Sequence, residues 1–219
     1  MSRTRILVTG FEPFADESIN PSEIVVRRLT GSLERGDVEL VTAILPVSFR
    51  RAKDFVKTLL REHKPEIAMA LGLAPGTQCI RVERVALNLM DARIPDNDGV
   101  KPEDEPIEPG APTAYLATIP VKKIVRKLTE KGIPAVVSNT AGTYVCNLVF
   151  YELLHHGYTY GYPLRAGFIH LPYLPEQAAK KEPHSVPPSM SLELMIKAVK
   201  VVIESVVSED TTGQKPRLE

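Results

Sequence analysis

The chain has no tryptophan and only two cysteines, Cys79 and Cys146, in 219 residues. They lie far apart and without metal-ligand spacing, which excludes a disulfide scaffold and fits a reducing compartment, expected to be the cytoplasm. Cys79 reads as a small buried core residue. Net charge is missing too, because 27 Lys and Arg balance 27 Asp and Glu. That argues against a partner such as nucleic acid or an anionic membrane surface. No apolar run approaches the ~18 residues of a membrane span, and the short apolar run after Met1-Ser-Arg-Thr-Arg5 is not expected to be a signal peptide. There is no G-x-G-x-x-G, Walker loop or His-Glu-x-x-His, which leaves nucleotide and zinc chemistry unsupported, so neither a cofactor nor a metal is expected. Asn and Gln together number eight against 19 prolines, a composition that leans toward a heat-adapted source.

What is present suits one domain of the α/β class, expected over residues 1–208, with a polar, flexible tail at 209–219. Residues 5–10 read as a buried strand, followed by a loop holding Phe11 and Phe14. Asn20 as N-cap, Pro21 at N1 and Glu23 at N3 predict a helix stopped by Gly31, with Ile24, Val25 and Leu29 inward. A strand at 38–47 ends at Pro46; Ser48 then caps a helix to about residue 62, with Phe55, Val56, Leu59 and Leu60 inward. Residues 66–71 form an apolar strand of the kind covered on both faces, and 72–76 a sharp turn after it. Residues 79–88 read as one extended segment. The stretch 91–112 holds five prolines and is an irregular excursion, long enough to be functional or disordered.

Thr118, with Pro120 at N1, opens a helix facing inward through Val121, Ile124, Val125 and Leu128 and stopped by Gly132. A strand to about residue 139, a turn at Ala141-Gly142 and a helix to about residue 156 follow. The last strand, 165–171, carries His170, and a helix over about 191–207 closes the pattern. Alternating strands and helices imply a largely parallel, twisted sheet whose ligand lies beyond the carboxyl ends of the strands. Residues 10–16, 72–78, 139–146 and 170–173 are expected on that edge, which brings Cys146 and His170 together.

Cys146 stands in the first turn of its helix, where backbone N–H groups lower a thiol's pKa. A thiol nucleophile needs a base, and His170 is the natural candidate. His155 and His156 are expected to be cations near a helix C-terminus, and His63 and His184 to be solvated. A third group should orient the imidazole; position alone leaves Glu83, Asp91 and Asp96 open. A non-catalytic ligand binder or a redox sensor built on Cys146 is the reading from another class.

Four motifs in order resemble the type I pyroglutamyl peptidases, a family of cysteine peptidases. They are Val8-Thr-Gly-Phe-Glu-Pro-Phe14 with Asn20-Pro21, Glu83-Arg-Val-Ala-Leu-Asn88 with Asp91-Ala-Arg-Ile-Pro-Asp-Asn97, Ser138-Asn-Thr-Ala-Gly-Thr-Tyr-Val-Cys-Asn147, and Gly167-Phe-Ile-His-Leu-Pro172. The resemblance implies a three-layer α/β/α sandwich, commonly a homotetramer, that needs no metal and acts on peptides with an N-terminal pyroglutamate. It makes Cys146 the nucleophile, His170 the general acid and base, and Glu83 the partner of His170. It places Arg93 near the oxyanion and gives substrate contacts to Phe11, Phe14, Asn20 and Val145. Two positions depart from the family pattern: Ala15-Asp16 stands where Gly-Gly is common, and Arg81 where a small hydroxyl residue is usual.

Overall fold

Runs dominated by Ile, Leu, Val and Ala form strands β1 (Thr4–Phe11), β3 (Ile67–Leu73) and β8 (Arg165–Leu171), each buried along most of its length. The computed structural model describes residues 3–29, 38–182, 184 and 186–208. The stop expected at Gly31 and the tail expected at 209–219 lie outside the described residues. With β2 (Val38–Leu45), β4 (Ile80–Glu83) and β7 (Ala135–Ser138), these strands make a six-stranded sheet in the order β2-β1-β3-β8-β4-β7. The first four run parallel. β4 is antiparallel to β8 and parallel to β7, so the last pair is reversed.

Side chains alternate between the two faces of a strand. On one face Ile6, Val8, Met69, Leu71, Val82 and Ile169 pack with α1 (Pro21–Leu29), α3 (Val121–Glu130) and α6 (Leu192–Val207). On the other, Leu7, Phe11, Ala68, Ala70 and Phe168 pack with α2 (Phe49–His63) and α4 (Val145–Tyr160). The result is a three-layer α/β/α sandwich. Each fully buried Leu, Ile or Val in these layers contributes about 1.5–3 kcal/mol. A separate ribbon of β5 (Val85–Leu87) and β6 (Ala114–Leu116) and a short α5 (Pro175–Ala178) complete the elements.

Side-chain caps start α1, α2 and α6. Ser22 N–H donates to Asn20 Oδ1 at 3.1 Å, and Arg51 N–H to Ser48 Oγ at 3.1 Å. Several expectations are corrected. Glu23 does not close a capping box but pairs with Arg27 one turn on. Phe55 is 38% exposed, because Ala52, Val56, Leu59 and Leu60 share the inward stripe of α2 and position 55 falls on its flank. Residues 79–88 are not one segment: β4 and β5 join different sheets. Pro120 is the N-cap of α3, while the Thr118 hydroxyl accepts from Ala166 N–H at 2.7 Å.

Gly72 lies inside β3, and the turn comes at Gly76 (φ 82°). Gly157 does not stop α4, which continues to Tyr160 and ends at Gly161 in a left-handed conformation. A Cβ at Gly157 would meet the Pro163 carbonyl oxygen at 2.6 Å, so glycine there permits a close backbone approach. Because β7 is reversed, its carboxyl end does not share an edge with those of β1, β3 and β8, and residues 139–144 carry the chain from Ser138 to the head of α4.

Candidate active site

His170 lies on the α2/α4 face of β8 with Phe168 two residues before it, and their rings are 4.7 Å apart. Glu83 closes β4 opposite Phe168 and points to the same face. It is completely buried, and its Oε1 lies 2.9 Å from His170 Nδ1. A carboxylate only accepts, so this contact puts the hydrogen on Nδ1 and leaves Nε2 as an acceptor. Asp91 is exposed, and Asp96 is occupied elsewhere. Of the three carboxylates left open by the sequence, Glu83 is the one on the imidazole.

Cys146 is the second residue of α4. β3 sets Gly72 beside His170, and a Cβ on Gly72 would stand 2.8 Å from Cys146 Sγ. The thiol therefore lies over the strand position next to His170. Tyr144 provides no side-chain cap, so the first-turn N–H groups of α4 take no acceptor from it. The expected lowering of the thiol pKa is reversed. Cys146 is half-buried as a residue, yet its sulfur is enclosed. Burial first, and the charge of Glu83 second, outweigh the backbone N–H and push the thiol up to about 12.

Beside the sulfur lies a cleft of about 240 Å³, part of it open to solvent. Phe11, Phe14, Asn20 and Val145 line it, with Val47, Leu73 and Tyr144 completing the wall. Its wall is mostly apolar. The aromatic loop is held from several sides. Phe11 N–H donates to Ser22 Oγ at 3.0 Å, and Glu12 Oε1 accepts from Val47 N–H at 3.0 Å and Asn97 Nδ2 at 2.9 Å. The Asn20 amide is engaged internally, donating to the Glu12 carbonyl and accepting from Ser22, so it shapes the floor.

Arg93 is exposed and is not among the residues lining the cleft. It rides on a segment fastened to the approach to Cys146. Asp91 N–H donates to the Thr143 carbonyl at 3.1 Å, the Thr143 hydroxyl to the Asp91 carbonyl at 2.6 Å, and the Tyr144 hydroxyl to the Pro95 carbonyl at 3.0 Å.

A family model described as pyroglutamyl peptidase matches residues 4–209. The chain belongs to the pyroglutamyl peptidase family. A pyrrolidone-carboxylate peptidase of Pyrococcus furiosus is 54% identical over 206 residues, covering 94% of this chain and 99% of that one. Another, of Bacillus subtilis, is 41% identical over 214 residues, covering 98% and 97%. The crystal structure of the pyrrolidone carboxyl peptidase of the hyperthermophile Pyrococcus furiosus superposes with a TM-score of 0.91 at 54% identity, over 94% of this chain and 99% of that one. The protein is a hydrolase of this peptidase class.

Sequence reasoning missed several residues that shape this peptidase's site. Tyr144 packs on Phe49 edge-on with ring centroids 5.3 Å apart and lies 6.2 Å from Phe14, closing the cleft opposite the aromatic loop. Asn147 is fully buried; it accepts from Leu87 N–H at 2.9 Å and donates to the Leu87 and Leu89 carbonyls, tying β5 to α4 beside Cys146. Both lie in the quoted cysteine motif, but single residues carry no sign of which loop they will hold. His155 and His156 are not helix-end cations: burial lowers the pKa of both, that of His156 to about 4. His184 is exposed and His63 half-buried. Among the described residues no group of three His, Cys, Asp or Glu is placed to hold a metal, and no helix is long and apolar enough to cross a membrane.

Proposed function

We propose that the protein removes an N-terminal pyroglutamyl residue from peptides through Cys146, His170 and Glu83. The observation that carries this reading is the 2.9 Å contact between buried Glu83 and His170 Nδ1, beside a cysteine that heads α4 at the rim of a small apolar cleft. A pyroglutamyl group is a flat, uncharged lactam, because cyclisation has consumed its amine. Such a ring suits a cleft bounded by Phe11 and Phe14 and needs no carboxylate or metal to hold an ammonium group. We assign the uncapped first-turn N–H groups of α4 to the substrate carbonyl oxygen, and Arg93, exposed and outside the cleft wall, the supporting charge that the family resemblance implies. One such donor is typically worth ~3–4 kcal/mol.

A thiol pushed up to about 12 is neutral at rest, so attack and proton transfer go together. Cys146 Sγ bonds to the exocyclic carbonyl carbon as its proton passes to His170 Nε2. His170 then delivers that proton to the leaving amine and the C–N bond breaks. Water, deprotonated by the same nitrogen, attacks the thioester, and pyroglutamate leaves as the thiol is restored. The same elevated pKa disfavours a redox sensor, which needs an exposed thiolate. The family resemblance supports a homotetramer, and the two widely spaced cysteines support the cytoplasm.

The test is release of a chromogenic amine from a pyroglutamyl amide. Cys146→Ala is expected to abolish it while the melting transition stays in place, and full activity in that variant would end the proposal. A prolyl amide, which lacks the ring carbonyl, is expected to turn over at least ~10²-fold more slowly, because a polar partner in the site is left unpaired.

A further inference from the structure

Arg81 has no part in the three-residue chemistry, yet it is built into it. It stands on β4 two residues before Glu83, and its register partner on β8 is His170. Arg81 Nε lies 3.3 Å from Glu83 Oε1, the same oxygen that receives His170 Nδ1 at 2.9 Å. At the far end of the guanidinium, Nη2 donates to Ser138 Oγ at 2.6 Å, and the Ser138 hydroxyl donates to the Thr140 carbonyl at 3.2 Å. Glu83 Oε2 is buried without a hydrogen-bond partner, so a single oxygen carries both contacts. The Arg81 side chain is 35% exposed, and that of Glu83 not at all.

We propose that Arg81 is a positioning residue: braced on Ser138, its guanidinium fixes the Glu83 carboxylate against His170 and sets the acid limit of activity. The inference rests on the Cys146–His170–Glu83 reading above. A buried carboxylate needs a partner in every state of the reaction. A guanidinium does not lose its proton, so Arg81 keeps Glu83 paired while the imidazole is neutral. Once the imidazole is protonated, Arg81 becomes a like charge competing for the same lone pairs of Oε1. That competition works against the protonated ring, which cannot accept the Cys146 proton. Activity therefore survives to lower pH than Glu83 alone would allow. Among the described residues, the titratable and charged groups set beside His170 are Glu83 and Arg81 from β4 and Cys146 from α4; β3 contributes Gly72 at this level, and Ser138 comes from β7.

The experiment is a pH profile of kcat and KM on a pyroglutamyl amide with a fluorogenic leaving group. Arg81→Thr, neutral and strand-favouring, is expected to move the acid limb of kcat/KM up by about one pH unit and to change KM by less than about twofold. Arg81→Lys keeps the charge and is expected to hold the limb within about 0.3 unit of the parent. Should Arg81→Thr not fold, Arg81→Gln reads the same limb with a longer side chain. A limb superimposed on the parent's in the neutral variant overturns the inference, as does an equal displacement in Arg81→Lys. Cys146→Ala run alongside separates the two levels. Turnover in that variant sinks the three-residue reading, whereas a dead Cys146→Ala with an unmoved Arg81→Thr limb sinks only the role of Arg81.

Discussion

Gly72 shows how little freedom the atoms around Cys146 have. A methyl group there would stand 2.8 Å from both Cys146 Sγ and the Phe168 ring, closer than real Cβ contacts come. Phe168 is fully buried and cannot swing away, so the sulfur must move. Gly72→Ala is expected to lower kcat by ~10²-fold with KM nearly unchanged, and to cost ~1–3 kcal/mol in a denaturant melt. Glu83→Gln leaves a group of the same shape that no longer dictates the imidazole tautomer; kcat/KM should fall by ~10²–10⁴-fold. A value within error of the parent would detach Glu83 from the chemistry. Ala15 is a milder case. It holds φ 51°, in the left-handed region that favours glycine, on the loop just after Phe14. Ala15→Gly therefore trades relief of backbone strain against a looser aromatic loop.

The element with the most influence for its lack of regular structure is the excursion from 91 to 112. Asp96 Oδ2 accepts from Phe49 N–H at 2.8 Å and so caps α2, while its Oδ1 accepts from Asp98 and Val100 N–H. Asn97 Nδ2 reaches Glu12 Oε1 and the Pro13 carbonyl, clamping the aromatic loop from outside. Asp96→Ala should cost ~1–2 kcal/mol of stability, the usual worth of a lost cap. Asn97→Ala should instead raise KM several-fold with kcat held, because it loosens Phe14 and leaves the sulfur alone. Steady-state kinetics of the two variants separate these effects. The five longer helices and β1, β3 and β8 were legible in the sequence because caps, prolines and apolar runs are local signals, whereas the single turn of α5 was not. The Asp96 and Asn97 contacts were not, since each joins residues tens of positions apart. The reversal of β4 and β7 was not legible for a similar reason: a four-residue strand reads the same in either direction.

At the scale of the whole molecule, α4 lays Cys146 over β3 beside His170, and the 2.9 Å contact with His170 sets Glu83 apart from Asp91 and Asp96. The fold also buries a second carboxylate that has no part in the chemistry. Glu152 on α4 is fully buried; neither oxygen has a hydrogen-bond partner, and the Lys57 and Lys53 ammonium groups lie 3.5 and 3.7 Å away. Burial first, then Glu108, raise its pKa to about 7 against the pull of the lysines, whereas Lys57 and Lys53 hold Glu108 down at about 2. A carboxyl group raised on folding stabilises below its unfolded value and loses that contribution as pH rises through about 7. Glu152→Gln should therefore flatten the fall in stability between mildly acid and mildly alkaline pH. The gain on the alkaline side is at most on the order of 3 kcal/mol. Melting curves of both proteins on either side of neutrality decide it, and parallel curves would remove Glu152 from the account. One feature of the sheet reaches beyond the finished enzyme. β8 brings His170 late in the chain and inserts between β3 and β4, strands made long before it. Until residue 171 emerges during synthesis, β3 and β4 present two open edges and no site exists, so a nascent chain is both inactive and prone to pair with its neighbours.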